Sequence, residues 1–190
     1  MSSNEAATQW RIRAASALVI AAAGVLGVGA LAACSVLREV EQVATEDADD
    51  VVAAAGWTRA VATEHYLVVV NVLPGEAMFT HAEHAEHHPT EGELILSGPG
   101  EPLGPTSRHV EAHIYDRATG LAATDEVPTI TLLNRTTGER VEVEPTLMQD
   151  VNIGPLDRHF GNNVAVASNS DLSITVVVAG EEVTVDGHLD

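Results

Sequence analysis

The sequence contains no lysine, a single cysteine and few aromatic residues. All nine basic residues among its 190 are arginines, and aromatic side chains make up 3% of the chain. Binding to nucleic acid needs clustered lysine and arginine, so the sequence excludes that function, and it also argues against binding to anionic lipid headgroups. One cysteine excludes a framework of disulfides within the chain and any zinc site with several cysteine ligands.

Acidic residues and histidines are, by contrast, plentiful. The chain has 28 acidic residues, nine histidines and a formal net charge of −19. It is still 45% hydrophobic, which permits a folded core, because disorder requires low hydrophobicity as well as high charge. The length fits one domain, alone or with appendages. Carboxylates and imidazoles together make metal cations the natural partner of such a chain.

The first part of the chain has the pattern of an export signal. Two arginines precede an uncharged stretch from Ala14 to Ala33 that is long enough to cross a bilayer. The stretch is rich in alanine and glycine and ends in Leu31-Ala32-Ala33-Cys34, which resembles the lipobox of prokaryotic lipoproteins. That resemblance implies that Cys34 is lipidated and becomes the mature N-terminus. The alternative is an uncleaved signal anchor at residues 1–33, and both readings place the remaining chain outside the cytoplasm, at the cell membrane.

An acidic tether and a β domain follow this signal. Residues 34–63 are rich in acidic residues, alanine and valine and lack sustained apolar periodicity, so we expect a tether with little regular structure. From Glu64 onward, short segments rich in β-branched residues, such as 65–73 and 128–134, alternate with turn residues. Segments of this length and spacing predict an all-β fold, an antiparallel β-sandwich, over residues 64–190.

The densest histidine cluster lies between residues 81 and 88 and has the sequence HAEHAEHH. On a helix, His81, His84 and His88 would share one face, at a spacing that lets neutral imidazoles converge on a transition-metal ion. The neighbouring glutamates would add oxygen ligands and a negative potential that attracts cations. The alternative is a solvated helix or loop whose histidines point outward. We favour metal binding, because four histidines in eight residues exceed what a random polar segment contains.

A second group of polar residues alternates with apolar ones in the segment HVEAHIYD. If this segment is a strand, His109, Glu111, His113 and Tyr115 share one face, and the intervening valine, alanine and isoleucine face the core. The polar face is either exposed surface or the wall of a site, and the sequence leaves both readings open.

Met148 and His159 are further candidates for a metal site. A thioether with an imidazole suits Cu(I) better than zinc or magnesium, although methionine more often serves only to fill a core. After His159, the residue types of Gly161-Asn162-Asn163 predict a turn between two strands.

These motifs together resemble the periplasmic iron-transport accessory family, also called the Fe2+ transport protein family. The resemblance runs from about Arg108 to Val178, through HVEAHIYD, VPTITLLN, the methionine and HFGNNVAV in the family's order. It implies an immunoglobulin-like β-sandwich that binds a copper ion, an iron ion or both outside the cytoplasm and supports a membrane iron permease. It further implies that His109, Glu111, Met148 and His159 surround the metal.

The chain departs from the family pattern at two points. The segment between Met148 and His159 is longer than usual, which leaves the register of the methionine open. A His-rich loop near the C-terminal strands, which the family has, finds no counterpart between Leu172 and His188. The histidines at 81–88 are the candidates for a replacement ligand.

The sequence therefore favours a membrane-anchored, extracytoplasmic metal-binding lipoprotein that supports iron uptake. It predicts binding rather than catalysis, because no Ser/His/Asp arrangement or paired-carboxylate motif is identifiable. The expected partners are metal ions, the membrane through the lipid anchor and an iron permease, with a homodimer left open. The rival hypotheses are a copper chaperone or resistance protein, an immunoglobulin-like structural or adhesion module without metal, and a redox enzyme that acts on iron at a copper site.

Overall fold

The computed structural model of the chain describes residues 56–190. The predicted signal segment, Cys34 and the predicted tether up to residue 55 lie outside this range and stay predictions. Within residues 56–190, no helix is both long and apolar enough to span a membrane.

Two β-sheets make up the described part of the chain. The strands are β1 (Trp57–Ala62), β2 (Tyr66–Pro74), β3 (Met78–Phe79), β4 (Glu93–Ser97), β5 (Ser107–Asp116), β6 (Thr129–Asn134), β7 (Arg140–Val143), β8 (Thr146–Asp150), β9 (His159–Ala165), β10 (Ser170–Val178) and β11 (Glu181–Leu189). A helix, α1 (His81–His87), follows β3, and a short 3-10 helix (Gly154–Asp157) precedes β9. The larger sheet has the order β1-β2-β5-β9-β8-β4-β3 and the smaller sheet the order β11-β10-β6-β7. This arrangement confirms the predicted all-β sandwich.

Alternating apolar side chains place the main core between the two sheets. Ile174 of β10 and Leu132 of β6 meet Val70 of β2 and Val110 of β5 in one cluster of buried residues. Burying one such side chain contributes about 1.5–3 kcal/mol relative to leaving it exposed. β2 is apolar on its other face as well, where Leu67 and Val69 form a second buried cluster with Tyr115. Both faces of the larger sheet are therefore covered, and its polar residues on the outer face are shielded from water.

The folded part begins before Glu64, within the segment that the sequence assigned to the tether. β1 pairs antiparallel with β2, from Trp57 opposite Val72 to Ala62 opposite Leu67. Trp57 is 4% exposed, and a Cβ placed on Gly187 would lie 2.2 Å from its ring. β1 has only one large apolar side chain, so its strand character comes from pairing with β2 and is not visible in the local pattern.

The predicted turn at Gly161-Asn162-Asn163 is wrong, because these residues lie inside β9. Gly161 is opposite Glu111 of β5. A Cβ at Gly161 would lie 2.1 Å from the carbonyl oxygen of Val110. The glycine thus permits two strands to approach closely, which is a positional use of glycine within a strand.

The two asparagines of β9 form hydrogen bonds that hold neighbouring loops against the sheet. Asn162 Nδ2 donates to the carbonyl oxygen of Pro99, at 3.0 Å. Asn163 Oδ1 accepts from the backbone N–H of Glu76 at 3.1 Å, and its Nδ2 donates to the carbonyl of the same residue at 2.8 Å. Asn163 therefore fixes the backbone of Glu76 through both of its polar groups.

The histidine-rich segment forms α1 and lies at the surface. The Thr80 hydroxyl accepts from the N–H of Glu83 at 3.3 Å, and the Glu83 carboxylate accepts from the N–H of Thr80 at 2.8 Å, which together make a capping box. His88 ends the helix in the left-handed region, with φ of 47°. None of the side chains of α1 is buried. His88 thus lies beyond the last helical turn, and the helical spacing expected for it does not apply.

Candidate metal centre

The polar residues of β5 lie on the outer face of the larger sheet, away from the smaller sheet. Their apolar neighbours Val110, Ala112 and Ile114 belong to the main core. His109 and Glu111 are 0% and 4% exposed, although they lie on the side of the sheet that does not meet the smaller sheet. The sequence left open whether this polar face is exposed surface or the wall of a site. In the structure the face is buried, so it is not exposed surface.

Strand pairing brings side chains from five strands to this face. Glu111 of β5 lies opposite Asn71 of β2 and Gly161 of β9. His159, two residues before Gly161, is therefore on the same face of β9. Met148 of β8 lies opposite His159 on one side and opposite Ile95 of β4 on the other. Glu93 lies two residues before Ile95 and therefore on the same face of β4.

Four of these side chains form what we call the metal cluster: Glu93, His109, Glu111 and His159. One ligand atom from each lies within 4.8 Å of the others, and all four side chains are buried. The Nε2 of His109 is 3.8 Å from Glu111 Oε1, and the Nε2 of His159 is 3.8 Å from Glu93 Oε2. The two imidazole rings meet edge to face, with centroids 5.9 Å apart.

The Nδ1 atoms of both histidines are held by groups outside the metal cluster. His159 Nδ1 donates to the carbonyl oxygen of Asp157 at 2.7 Å. His109 Nδ1 lies 3.3 Å from Asn163 Oδ1, which accepts from it. Metal-ligating histidines commonly donate one ring N–H to a carbonyl or carboxylate, which orients the other nitrogen toward the metal. Within residues 56–190 neither Nε2 atom has a hydrogen-bond partner, so both are directed at the cluster.

One oxygen of Glu111 is likewise occupied and the other is directed inward. Asn71 Nδ2 donates to Oε2 at 2.7 Å, and His113 Nε2 lies 3.1 Å from the same oxygen. The other oxygen, Oε1, faces the Nε2 of His109.

Electrostatics in the metal cluster favour one additional positive charge. Burial lowers the pKa of His109, and nearby Glu111 and Glu76 oppose that shift without reversing it. Burial also disfavours the charged form of His159, but the Glu111 and Glu93 carboxylates outweigh burial and raise its pKa to about 10. The pKa of Glu111 is well below its usual range; burial opposes this, but the charge of His159 and the hydrogen bond from His113 outweigh burial. Without another cation, the proton on His159 offsets the negative charge of the carboxylates. A metal cation bound to Nε2 would supply that positive charge instead.

The donor set fits a first-row transition-metal ion. Two imidazole nitrogens and two carboxylates suit Fe, Cu and Zn ions, whereas calcium and magnesium prefer oxygen alone. Around an octahedral ion with bonds of about 2.1 Å, opposite ligands are about 4.2 Å apart. The four ligand atoms lie within 4.8 Å of one another, so small side-chain movements would close the cluster onto an ion.

The structure brings together four of the residues expected to bind metal and leaves three apart. His109, Glu111, Met148 and His159 converge on one sheet face, and Met148 is fully buried beside His159. His81, His84 and His88 lie on or next to the exposed helix α1. Among the described residues, they contribute to no group of three or more clustered ligands.

Sequence reasoning missed Glu93, Asn71 and Asp157. Glu93 begins an otherwise apolar strand and is 0% exposed. A carboxylate at the start of the apolar segment ELIL is an unusual residue for a buried strand, and this was the available signal. Asn71 interrupts the apolar run of β2 in the same way. Asp157 gives no such signal, because its position depends on the 3-10 helix before β9.

Comparison with known proteins gives matches at the level of structure alone. No protein-family model matches the sequence, and no curated protein matches it either. A crystal structure of FetP from uropathogenic Escherichia coli strain F11, expressed in the periplasm of E. coli, superposes with a TM-score of 0.49 at 14% identity, covering 69% of this chain and 93% of that chain. A copper-bound variant of FetP superposes with a TM-score of 0.48 at 15% identity, covering 70% and 95%. At this similarity, the choice of metal and role rests on the residues of this chain.

Proposed function

We propose that this chain binds one divalent first-row transition-metal ion at Glu93, His109, Glu111 and His159. The observation that carries the proposal is the convergence of two buried imidazole Nε2 atoms, both lacking hydrogen-bond partners within residues 56–190, with two buried carboxylates. A buried polar atom without a hydrogen bond costs about 1–3 kcal/mol. A metal ion would satisfy both nitrogens and the carboxylate charge together.

Copper and iron are the ions that we propose for this centre. Mixed nitrogen and oxygen sites bind Cu2+ more tightly than Fe2+, so copper should bind with the higher affinity in vitro. The carboxylates are harder ligands that also suit iron. The role that we propose is support of iron uptake, in which the chain holds the ion for a membrane iron permease. The resemblance of HVEAHIYD, Met148 and HFGNNVAV to the Fe2+ transport protein family supports that role.

We infer that the chain binds its ion and does not catalyse a reaction. His109, Glu111, His159 and Glu93 are each at most 4% exposed. A cluster enclosed to this degree can hold an ion but gives a larger substrate no access to the ligands. Turnover of Fe(II) or Fe(III) by the copper-loaded chain, above the rate of free copper, would contradict this inference.

We further propose that the protein acts outside the cytoplasm, anchored to the cell membrane by lipid on Cys34. Support comes from the uncharged segment Ala14–Ala33 and the lipobox-like Leu31-Ala32-Ala33-Cys34. Mass spectrometry of the protein isolated from cells tests this. We expect an acylated N-terminal Cys34, and a mature chain that still begins at Met1 or Ser2 would contradict it.

Metal titration of the purified chain tests the binding proposal. Isothermal titration with Cu2+ and anaerobic Fe2+ should show a site that the double variant His109→Ala/His159→Ala lacks. The matched control is the double variant His84→Ala/His87→Ala, which removes two imidazoles from exposed α1 and should keep this site. Circular dichroism establishes that each variant is folded. If the folded wild-type chain binds neither metal at micromolar concentrations, the proposal fails and a structural or adhesion module becomes the better hypothesis.

A copper chaperone is the second candidate function, and one observation favours it. Met148 is 0% exposed and lies opposite His159 across β8 and β9. A thioether beside an imidazole suits Cu(I). If the chain binds Cu(I) far more tightly than it binds iron and transfers it to a chelating acceptor protein, copper delivery is the better description.

A further inference from the structure

His113, Asp157 and His159 form a second cluster of metal-ligating side chains beside the metal cluster. One ligand atom from each lies within 4.8 Å of the others. The three side chains are 1%, 5% and 1% exposed, respectively. Asp157 comes from the 3-10 helix and His113 from β5, two residues after Glu111. We call this set the second cluster.

His159 belongs to both clusters through different ring nitrogens. Its Nε2 faces Glu93 Oε2 at 3.8 Å. Its Nδ1, on the opposite side of the ring, lies 3.5 Å from Asp157 Oδ2. The imidazole of His159 therefore separates the two clusters and offers one nitrogen to each.

The hydrogen bonds of His113 leave one of its nitrogens for a ligand. Asn71 and His113 both approach Glu111 Oε2, at 2.7 and 3.1 Å. A carboxylate oxygen only accepts, so His113 Nε2 carries the proton in this contact. In the neutral ring, Nδ1 then holds the lone pair, and it lies 3.5 Å from the hydroxyl of Tyr115. Because a carboxylate bound to one nitrogen makes the other more basic, Glu111 improves His113 as a metal ligand.

The Asp157 carboxylate, which belongs to the second cluster, is held in place by a hydrogen bond. Its Oδ2 accepts from the backbone N–H of Asp150 at 3.0 Å. Burial raises the pKa of Tyr115, and the charges of Asp157 and Glu111 raise it further. Together with His113 and His159, Asp157 places one ligand atom within 4.8 Å of the others.

We propose that the second cluster binds a second divalent transition-metal ion, so that the chain holds two ions bridged by the imidazole of His159. Two nitrogens and one carboxylate suit Cu2+ or Zn2+. Binding displaces the Nδ1 proton of His159 to solvent and replaces its hydrogen bond to the Asp157 carbonyl. This inference rests on the proposed function, since it requires an ion in the metal cluster as well.

Copper titration followed by electron paramagnetic resonance tests the bridge. We use the full chain with the four histidines of segment 81–88 changed to alanine, because their imidazoles lie at the surface and would bind additional copper. The Cu2+ signal should rise to one spin per chain and then decrease as the second equivalent binds, because two Cu2+ ions joined by one imidazolate couple antiferromagnetically. Equilibrium dialysis should give two bound ions per chain.

Two variants in the same background localise the second ion. Asp157→Asn retains an oxygen that can accept from Asp150, and His113→Gln retains an N–H donor for Glu111, so both should fold. Each should bind one Cu2+ with a full signal, whereas the exposed control Asp171→Asn should behave as the parent does. A parent chain that binds a single ion, two ions with undiminished signal, or variants that still lose signal would overturn this inference and leave the proposed function standing. Absence of any bound copper would overturn this inference, and the proposed function falls with it only if Fe2+ does not bind either.

Discussion

The Glu93 carboxylate lies 3.8 Å from the Nε2 of His159, although β8 separates their strands in the larger sheet. Each residue reaches the other across that central strand, where Asp150 is opposite Glu93 and Met148 is opposite His159. Glu93 lies outside the motifs that resemble the iron-transport family. It therefore supplies the metal cluster with a carboxylate that is not among the ligands implied by that resemblance.

Changing Glu93 to Gln should weaken binding of Cu2+ and Fe2+ by about tenfold or more, which is about 1.4 kcal/mol. The amide keeps the size of the side chain but removes its negative charge from the cluster. Isothermal titration measures the change. Glu91→Gln is the matched control, because Glu91 is exposed in the preceding loop and should leave the affinity unaltered. Equal affinities for the two variants would show that Glu93 is not a ligand.

Most strands and one side of the site could be predicted from sequence because they depend on local alternation. The period of two in β5 places His109, Glu111 and His113 together whichever strands lie beside them. Glu93 joins them only because β4 pairs with β8 and β8 with β9. That strand order is set by packing of the whole sheet and has no local signal. Gly161 was wrongly assigned to a turn for a related reason. From sequence alone, a glycine that a close contact between strands requires cannot be distinguished from a glycine in a turn.

Replacing Met148 with Leu should lower the affinity for Cu(I) and leave the affinity for Fe2+ nearly unchanged. Leucine preserves the buried volume at small cost in stability, so the variant removes the thioether and little else. Competition with a Cu(I) chelator measures the first affinity and isothermal titration the second. Met78→Leu, in the partly buried strand β3, is the control. If Met148→Leu leaves the Cu(I) affinity intact, Met148 serves only to fill space beside His159.

Gly161→Ala should destabilise the fold by about 3 kcal/mol, near the upper end for overpacking a close contact. The added Cβ would lie 2.1 Å from the Val110 carbonyl oxygen, so β5 and β9 must separate. The same movement would draw Glu111 away from His159, and metal affinity should fall as well. Urea denaturation measures the stability. Gly138→Ala has a positive φ of 80° but no atom within 4 Å of the new Cβ, and it should cost only about 1 kcal/mol. Similar losses for the two variants would mean that the strand contact is unimportant.

The ion pair between His65 and Glu181 should make stability depend on pH around the start of β2. His65 Nδ1 lies 2.5 Å from Glu181 Oε1, and the hydrogen bond and charge of Glu181 raise the pKa of His65 above its ordinary 6.5. Hydrogen bonds from Thr63 and His65 lower the pKa of Glu181 to about 2. The His65 contribution is complete below pH 6.5 and is lost as the pH rises through the raised pKa. The Glu181 contribution is complete above pH 4.5 and is lost as the pH falls toward 2.

Glu181→Gln should therefore reduce the melting temperature most between about pH 4.5 and 6.5. In that window both groups are charged in the unfolded as well as the folded state, so their attraction in the folded state contributes in full. By NMR titration, the pKa of His65 should return toward 6.5 in this variant, because its hydrogen-bonded anion is gone. The neighbouring Glu182 is exposed on β11, so Glu182→Gln should leave that pKa in place. An unchanged His65 titration in Glu181→Gln would show that the pair does not persist in solution, whatever the melting temperatures show.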